Sequence, residues 1–476
     1  MDVPPLARRL QAVVGEPFVL FRPDDLLVYE QDALMVSRHM PDLVVLPETT
    51  EQVSRVVRAV RESGMPIVAR GAGTGLAGGA IPQRGGVVVA LTRMTRVREL
   101  DLESRTAVVE AGVVNAELTA MLARHGLFFA PDPGSQVAST IGGNVANNAG
   151  GPHCLAYGVT GNHVLGMEVV LHDGSVVWLG GRAPDAPGYD LAGVLTGSEG
   201  TLGIITAVAV RLMPTRETVR TLLAIYDTMD AACEATSAVI ASGVIPEALE
   251  IIDNESMRAV NRTLRAGFPE DAEAALLIEV EGLSEAVPAV MERIESLCRQ
   301  HGARRLQTAA TPDERLNLWK GRKQAYGALG KLARRAIMLD VCAPRSHLAA
   351  VMRQVAAAAA GCGIRVANFF HAGDGNMHPN LIFDFDDRSP EYARVVEATE
   401  GIMRACIAVG GTITGEHGIG LEKREYLGWM YRDDDLAAMK LVKRIFDPDG
   451  ILNPEKIFPV GRSVHEIHAP VPAGSL

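Results

Sequence analysis

The sequence is poor in the residues that build electron relays and nucleic-acid surfaces. Its six cysteines, Cys154, Cys233, Cys298, Cys342, Cys362 and Cys406, lie far apart, with no C-x-x-C pair. That excludes a zinc ribbon, an iron–sulfur ligand set and a C-x-x-C-H haem attachment, and scattered thiols fit a reducing compartment. Lys and Arg number 46 against 57 Asp and Glu, for a net charge of −11. Phosphate-backbone binding needs a basic surplus on one face, so nucleic acid is excluded as a main partner. No apolar run approaches the ~20 residues of a membrane span, and MDVPPLARRLQAVV places prolines where a signal peptide needs its apolar core. A cytoplasmic protein is expected, with any peripheral attachment to the inner face of a membrane left to its partners. Aromatics are also scarce, with 11 Phe, 8 Tyr and 3 Trp against 48 Gly. These glycines follow no G-X-Y period and form no Gly/Ser tether, which favours a backbone that approaches a ligand closely. What remains is 476 residues, 47% hydrophobic and 22% charged, enough for two or three domains with real cores.

Residues 41–69 read as strand, helix, strand. PDLVVLP is a buried run, Thr50 caps TEQVSRVVRAVRES with Val53, Val56, Val57 and Val60 on one face, and Gly64 stops the helix. A short strand then runs into RGAGTGLAGGA, residues 70–80. GGVVVALT and TAVVEAGV are strand-like, and NAELTAMLARHG is a short helix ended by Gly126. The glycine-rich stretch 131–161 reads as having no core of its own. Asp173 and Gly174 mark a hairpin turn in VLGMEVVLHDGSVVWL, and Pro214 closes the first domain after LGIITAVAVRLMP. From about 216 helical Ala, Glu and Arg periods alternate with strand-like AALLIEVEG, suggesting an α+β domain. Ser389 and Pro390 open a helix whose buried stripe is Val395, Val396, Ile402, Met403 and Cys406.

Gly73, Gly75 and Gly78 satisfy G-x-G-x-x-G, the dinucleotide fingerprint. The mechanism of that motif requires a helix to begin inside it, and here Ala80, Ile81 and Pro82 lead to a strand instead. A Rossmann site is therefore rejected. Five glycines, 71, 73, 75, 78 and 79, can still cradle a diphosphate with backbone N–H groups; a plain glycine-rich turn is the other reading.

The sharpest constellation is IRVANFFHAGDGNMHPNLIFDF, residues 364–385. With Asp374 and Gly375 as a two-residue type I′ turn, Gly373 pairs with Asn376, and His371 falls opposite His378 on one face, with Asn380 beside it. Two imidazoles so placed can share a metal ion or simply hydrogen-bond. A divalent site needs a third ligand, and GGTITGEHGIG offers Glu416 and His417.

These segments carry a resemblance. RGAGTGLAGGA, PDPGSQVASTIGGNVANNAGG and LTGSEGTLGIITAVAVRLMP resemble, in order and spacing, the FAD-binding domain of the vanillyl-alcohol oxidase and p-cresol methylhydroxylase superfamily. The resemblance implies FAD contacts at Arg70, Gly71, Gly73, Thr74 and Gly75, at Pro131, Asp132, Ser135, Gly142, Asn144 and Asn148, and at Glu199, Gly203 and Ile205. Some relatives attach flavin through a histidine in the first loop. Residues 70–80 contain none, so non-covalent FAD is expected, with His153 and Cys154 as the remaining attachment candidates.

H-x-G-D-G-N-x-H followed by G-E-H-G-I-G is similar to the C-terminal domain of FAD-linked oxidases acting on D-2-hydroxy acids. It implies His371, His378 and Glu416 as ligands of a divalent metal (Zn, Mn or Fe), His417 as the base and Asn380 as a substrate contact. LNLWKGRKQAYGAL resembles the W-x-x-R segment that sets an arginine, here Arg322, on the substrate carboxylate. Relatives preferring a dicarboxylate carry a lysine where this chain has Met338, which implies a small monocarboxylate. FDPDGILNPEKIF resembles the closing segment, with Asn453 touching flavin.

The resemblance spans about residues 20–460 and is strongest to the glycolate oxidase D subunits. It implies an α+β fold with a two-lobed FAD-binding domain of the p-cresol methylhydroxylase type at 40–215. An N-terminal helical segment precedes it at 1–39. A substrate cap with an antiparallel sheet follows at 216–410, then a segment returning to the FAD domain at 411–460 and a tail at 461–476. The implied reaction is hydride transfer from a small D-2-hydroxy acid to flavin, glycolate giving glyoxylate, with D-lactate or D-2-hydroxyglutarate as alternatives. A second flavoprotein-like subunit and an iron–sulfur subunit are the implied electron acceptors. Two other classes compete: a nicotinamide dehydrogenase, and a non-catalytic flavin-fold subunit of an oxidase complex.

Overall fold

The computed structural model describes residues 3–34, 36–183, 187–264, 266–386 and 388–461. From residue 462 onward the expected tail lies outside them. The chain divides into two units: 1–150, 159–215 and 417–476 form the first, and 151–158 with 216–416 form the second. The division differs from the expected bounds, and the segment expected to stand apart at 1–39 belongs to the first unit. Residues 151–158 leave the first domain, and 411–416 belong with the cap, so the return begins at His417.

In the first unit Leu43–Val45, Val87–Ala90 and Ile67–Arg70 run parallel with Val87–Ala90 central, and Val19–Leu20 is added antiparallel. Such strands are buried on both faces, which is why they read as continuous valine runs. The helix Thr50–Glu62 makes the crossover and buries Val53, Val56, Val57 and Val60. Its cap is Thr49 rather than Thr50. Thr49 holds extended backbone, as an N-cap must, and its hydroxyl accepts from Gln52 N at 3.2 Å. Thr50 sits inside the helix and donates to Glu168 Oε1 at 2.5 Å.

A second, antiparallel sheet has the order Val97–Asp101, Thr106–Glu110, Ile204–Arg211, Val164–Val170, Val176–Gly180. The stretch 131–161, expected to lack a core, contains the helix Ile141–Asn147. Ile141 and Val145 join the core of this lobe. Glycine permits the packing, since a Cβ at Gly142 would lie 2.5 Å from the Ala111 Cβ. The chain end returns as expected: Ile67 N donates to Ile451 O and Asn453 N to Ile67 O, both at 2.7 Å.

The second unit is one large antiparallel sheet. Its order is Arg305–Thr308, Thr218–Tyr226, Ala274–Gly282, Ala248–Asp253, Arg365–His371, Asn376–Met377, Val341–Cys342. Pro379–Phe383 pairs with Arg365–His371 and with Arg335–Met338. Helices Asn254–Leu264 and Pro312–Lys323 share a core with Ile252, Ala275, Leu277 and Phe369 of the sheet. Met229–Ala241, Val287–Gln300, Leu348–Gly361 and Tyr392–Ala408 supply a further helical layer. The stripe expected on the last of these is buried as read. Among the described residues no helix is long and apolar enough to cross a membrane.

Candidate functional site

In the second unit the histidine hairpin is longer than its Asp-Gly signal suggests. His371 pairs with Asn376, leaving a loop of Ala372, Gly373, Asp374 and Gly375. The two-residue turn fails because both backbone groups of Gly373 are taken elsewhere. Its N–H donates to Leu249 O and its carbonyl accepts from Arg345 Nη1, each at 3.1 Å. His378 is therefore diagonal to His371 rather than opposite. A register change of two residues preserves the face, and the imidazole centroids still lie 5.2 Å apart.

Glu416 completes the cluster. Its Oε1 lies 3.4 Å from His371 Nε2 and 3.2 Å from His378 Nε2. One ligand atom from each of the three residues falls within 4.8 Å of the others. Both Nδ1 atoms are held from behind, His371 by Glu250 Oε1 at 2.7 Å and His378 by Leu339 O at 3.1 Å. An acceptor behind Nδ1 fixes the tautomer and leaves the Nε2 lone pair facing inward, as a metal-ligating imidazole requires. The donor set fits a divalent ion: two nitrogens and a carboxylate oxygen suit Zn, Mn or Fe. Burial alone would raise the Glu416 carboxyl and lower His371. The histidines instead hold Glu416 well below the usual carboxylate range, and Glu250 and Glu416 hold His371 well above its ordinary value.

Two positions that sequence reading missed organise this cluster. Asp340, fully buried, accepts from Thr414 Oγ1 at 2.5 Å, Gly415 N at 2.9 Å and Glu416 N at 3.2 Å, and so fixes the loop that carries Glu416. Glu250, directly across the sheet from His371, also pairs with Arg322 Nη2 at 2.6 Å. Arg322 follows Arg315 and Trp319 along one helix face, at i, i+4 and i+7. Both of these donate to the buried Glu279, Trp319 Nε1 at 2.5 Å and Arg315 Nη2 at 2.7 Å. The W-x-x-R helix is thus pinned at Glu279 and carries Arg322 to Glu250. Expected on a substrate carboxylate, Arg322 is buried against this internal one, and its Nε has no hydrogen-bond partner among the described residues. Asn380 lies on the strand below, fully buried, donating to His378 O at 2.6 Å and Ala367 O at 3.1 Å. Its Oδ1 has no partner among the described residues. Met338 stands across from Asn380.

In the first unit the glycine loop leaves its strand at Arg70. That side chain turns beneath the loop, donating to Gln31 O at 2.8 Å, and a Cβ at Gly73 would lie 2.1 Å from its guanidinium. Arg70 is a prop for the loop. Gly71, Thr74 and Gly75 follow the loop itself, and a Cβ at Gly71 would meet Thr140 Oγ1 at 2.4 Å. Pro131 O accepts from Asn115 Nδ2 at 2.9 Å, and Asp132 and Ser135 lead into the turn before Thr140, where Ser135 O accepts from Ser139 N at 2.8 Å. Ser139 Oγ and Asn144 Nδ2 are buried with no partner among the described residues. Buried polar atoms are rarely left so, and here they lie in the glycine segment read as a cofactor wall.

The other residues expected at the cofactor commit their side chains internally. Asn148, left-handed at φ 50°, accepts from Gly161 N at 2.8 Å. Gly203 leaves no room for a Cβ, which would meet Val169 Cγ1 at 2.5 Å, and Ile205 pairs with Val169 in the sheet. Asn453 Nδ2 bridges Gly79 O at 2.8 Å and Glu199 O at 2.7 Å. Glu199 accepts from Ile419 N and Gly420 N, both at 2.8 Å. Burial pushes its carboxyl up to about 7 against the pull of those N–H groups. Lys456, also buried, is brought down to about 7 although Asp32 and Glu199 oppose the shift.

Comparison with known proteins places these observations. Residues 41–180 match the model of an FAD binding domain, and residues 215–457 match that of the C-terminal domain of FAD linked oxidases. The glycolate oxidase subunit GlcD of Escherichia coli is 41% identical over 462 residues, covering 95% of this chain and 92% of that one. The D-lactate dehydrogenase of Archaeoglobus fulgidus is 33% identical over 443 residues, covering 92% and 96%. Among solved structures, p-cresol methylhydroxylase with substrate bound superposes with a TM-score of 0.79 at 18% identity, covering 96% of this chain and 97% of that one. The two-lobed FAD-binding fold with an α+β second unit is thus the one expected, and the chain belongs to the FAD-linked oxidases, a family of oxidoreductases.

Proposed function

We propose that the chain oxidises a small D-2-hydroxy acid, glycolate first and D-lactate next, to the 2-oxo acid, using non-covalently bound FAD and one divalent metal. The observation that carries this reading is the convergence of His371 Nε2, His378 Nε2 and Glu416 Oε1, with each imidazole held from behind. When bound, FAD supplies the hydride acceptor and the metal a Lewis acid for the hydroxyl and carboxylate oxygens of the acid.

The chain's own residues do the rest. His417 takes the hydroxyl proton, so that a hydride can leave the α-carbon with its electron pair. Arg322, charge-balanced by Glu250, offers Nε to the substrate carboxylate, and Asn380 Oδ1 is an acceptor for a substrate hydroxyl. Non-covalent attachment is supported by the absence of histidine from residues 70–80. It is supported too by His153, which lies 3.3 Å from Glu279 and packs on Trp319 within the second unit. The six cysteines are scattered in sequence and none is joined in a disulfide. Electrons therefore leave through partner subunits, in keeping with relatives that are themselves named as subunits.

Anaerobic titration with glycolate, D-lactate, L-lactate and D-2-hydroxyglutarate tests the reading. Flavin absorbance should bleach with the first two and stay largely unchanged with L-lactate and the dicarboxylate. Bleaching by none, or a colourless protein reducing NAD, would sink it. Glu250→Gln should weaken metal binding ~10–100-fold by chelator competition, because an amide cannot balance Arg322 and orient His371 together. Unchanged metal affinity would remove Glu250 from this role.

A further inference from the structure

We infer that Glu199 is a positioning residue for His417: its carboxylate clips the backbone just beyond the histidine and ties that side chain to the wall of the FAD-binding unit. The inference rests on the reading of His417 as the base.

Glu199 stands between the short helix Leu191–Leu195 and the strand Ile204–Arg211, with φ 52° and 6% exposure. Its backbone is fixed on both sides. Its N–H donates to Ala146 O at 2.8 Å and its carbonyl accepts from Asn453 Nδ2 at 2.7 Å. From that fixed base Oε1 takes Ile419 N and Oε2 takes Gly420 N, each at 2.8 Å. Other hydrogen bonds hold the same segment from outside, among them Asn147 Nδ2 to His417 O at 3.2 Å, Leu421 N to Ala77 O at 2.7 Å and Ile457 N to Gly420 O at 3.0 Å.

The fit between clip and segment is close. A Cβ at Gly418 would stand 2.8 Å from Glu199 Oε1, and one at Gly420 would stand 2.0 Å from Ala77 O. This explains in atoms why the histidine is followed by Gly-Ile-Gly. The pattern of donors also requires a carboxylate. Two adjacent N–H groups need two acceptor oxygens, and glutamine would turn an NH₂ toward one of them. A buried carboxylate is costly unless charge-assisted hydrogen bonds offset it, and these two N–H groups supply them. Because Asn453 bridges Glu199 to Gly79, the network that shapes the glycine loop also sets the segment that presents His417.

The test compares Glu199→Gln, Glu199→Asp and His417→Asn with the wild-type holoenzyme. Three quantities are read: FAD content, amide hydrogen exchange across 417–421, and the rate and substrate Kd of anaerobic flavin reduction by glycolate or D-lactate. Glu199→Gln should retain FAD, speed exchange across 417–421 at least ~10-fold, and slow reduction ~10²-fold with Kd nearly unchanged, the signature of a misplaced reacting group. Glu199→Asp keeps the charge but cannot reach both N–H groups, and should fall between the two; it also serves if the glutamine variant does not fold. Wild-type exchange together with wild-type reduction in either variant overturns the clip. If His417→Asn reduces flavin at the wild-type rate, the assignment of the base fails, while the exchange measurement still decides whether Glu199 holds the segment.

Discussion

Replacing His378 with alanine is expected to strip the protein of its divalent metal and to slow substrate-dependent flavin reduction by ~10³-fold or more, while FAD stays bound. His378 gives one of the three ligand atoms in the cluster, so its loss leaves only His371 Nε2 and Glu416 Oε1 of that set, 3.4 Å apart. The residues proposed to hold FAD lie in the other unit and keep their contacts. Metal content by elemental analysis, flavin absorbance and stopped-flow reduction separate these effects. The variant also leaves Leu339 O buried without the Nδ1 donor it accepts at 3.1 Å, a penalty of about 1–3 kcal/mol that thermal melting will register. Chelation of wild-type protein should reproduce the kinetic loss without the stability loss. If metal-free wild-type protein reduces flavin at full rate, the cluster is structural and the Lewis-acid role falls.

Replacing His417 with asparagine should lower flavin reduction by ~10²–10⁴-fold, the usual worth of a positioned general base, with metal and FAD contents unchanged. Metal is spared because His371 Nε2, His378 Nε2 and Glu416 Oε1 already converge as three ligand atoms without His417. FAD is spared because Asn147 Nδ2 donates to the His417 carbonyl, a backbone atom that the substitution keeps. A base must be neutral to act, so the wild-type rate should rise with pH along an acid limb, and that limb should vanish in the variant. A wild-type rate, or an acid limb that survives, would assign the proton transfer elsewhere.

Most of the fold was legible because its elements carry their own periodicity. The buried valine runs, the stripe of Thr50–Glu62 and the hairpin around Gly174 announce themselves locally. The misreadings arose where a distant group overrides local preference. Gly373 binds Leu249 and Arg345 and so lengthens the hairpin loop, a choice no local turn signal encodes. The helix at 141–147 was hidden by glycines that look like a loop until Ala111 is placed against them.

The three residues proposed to hold the metal stood out by motif spacing, whereas Glu250 and Asp340 did not. Yet each left a trace, a carboxylate inside an otherwise apolar run, in ALEII and AIMLDV. Such a residue must find a partner when buried, and both found one at the site. Arg322 was singled out by the W-x-x-R segment, but its pairing with Glu250 could not be seen without the sheet that brings them together.

The pairing of Leu452 with Ile67 bears on how the protein is made. The strand Ile67–Arg70 emerges early, yet the residue that covers its edge arrives only after every part of the second unit has been synthesised. Until then an apolar strand edge stays open to pairing with other chains. The second unit, nearly continuous from 216 to 416, can close first. The FAD-binding unit is laid down on both sides of the second, so a ribosome stalled anywhere before residue 452 leaves its sheet incomplete.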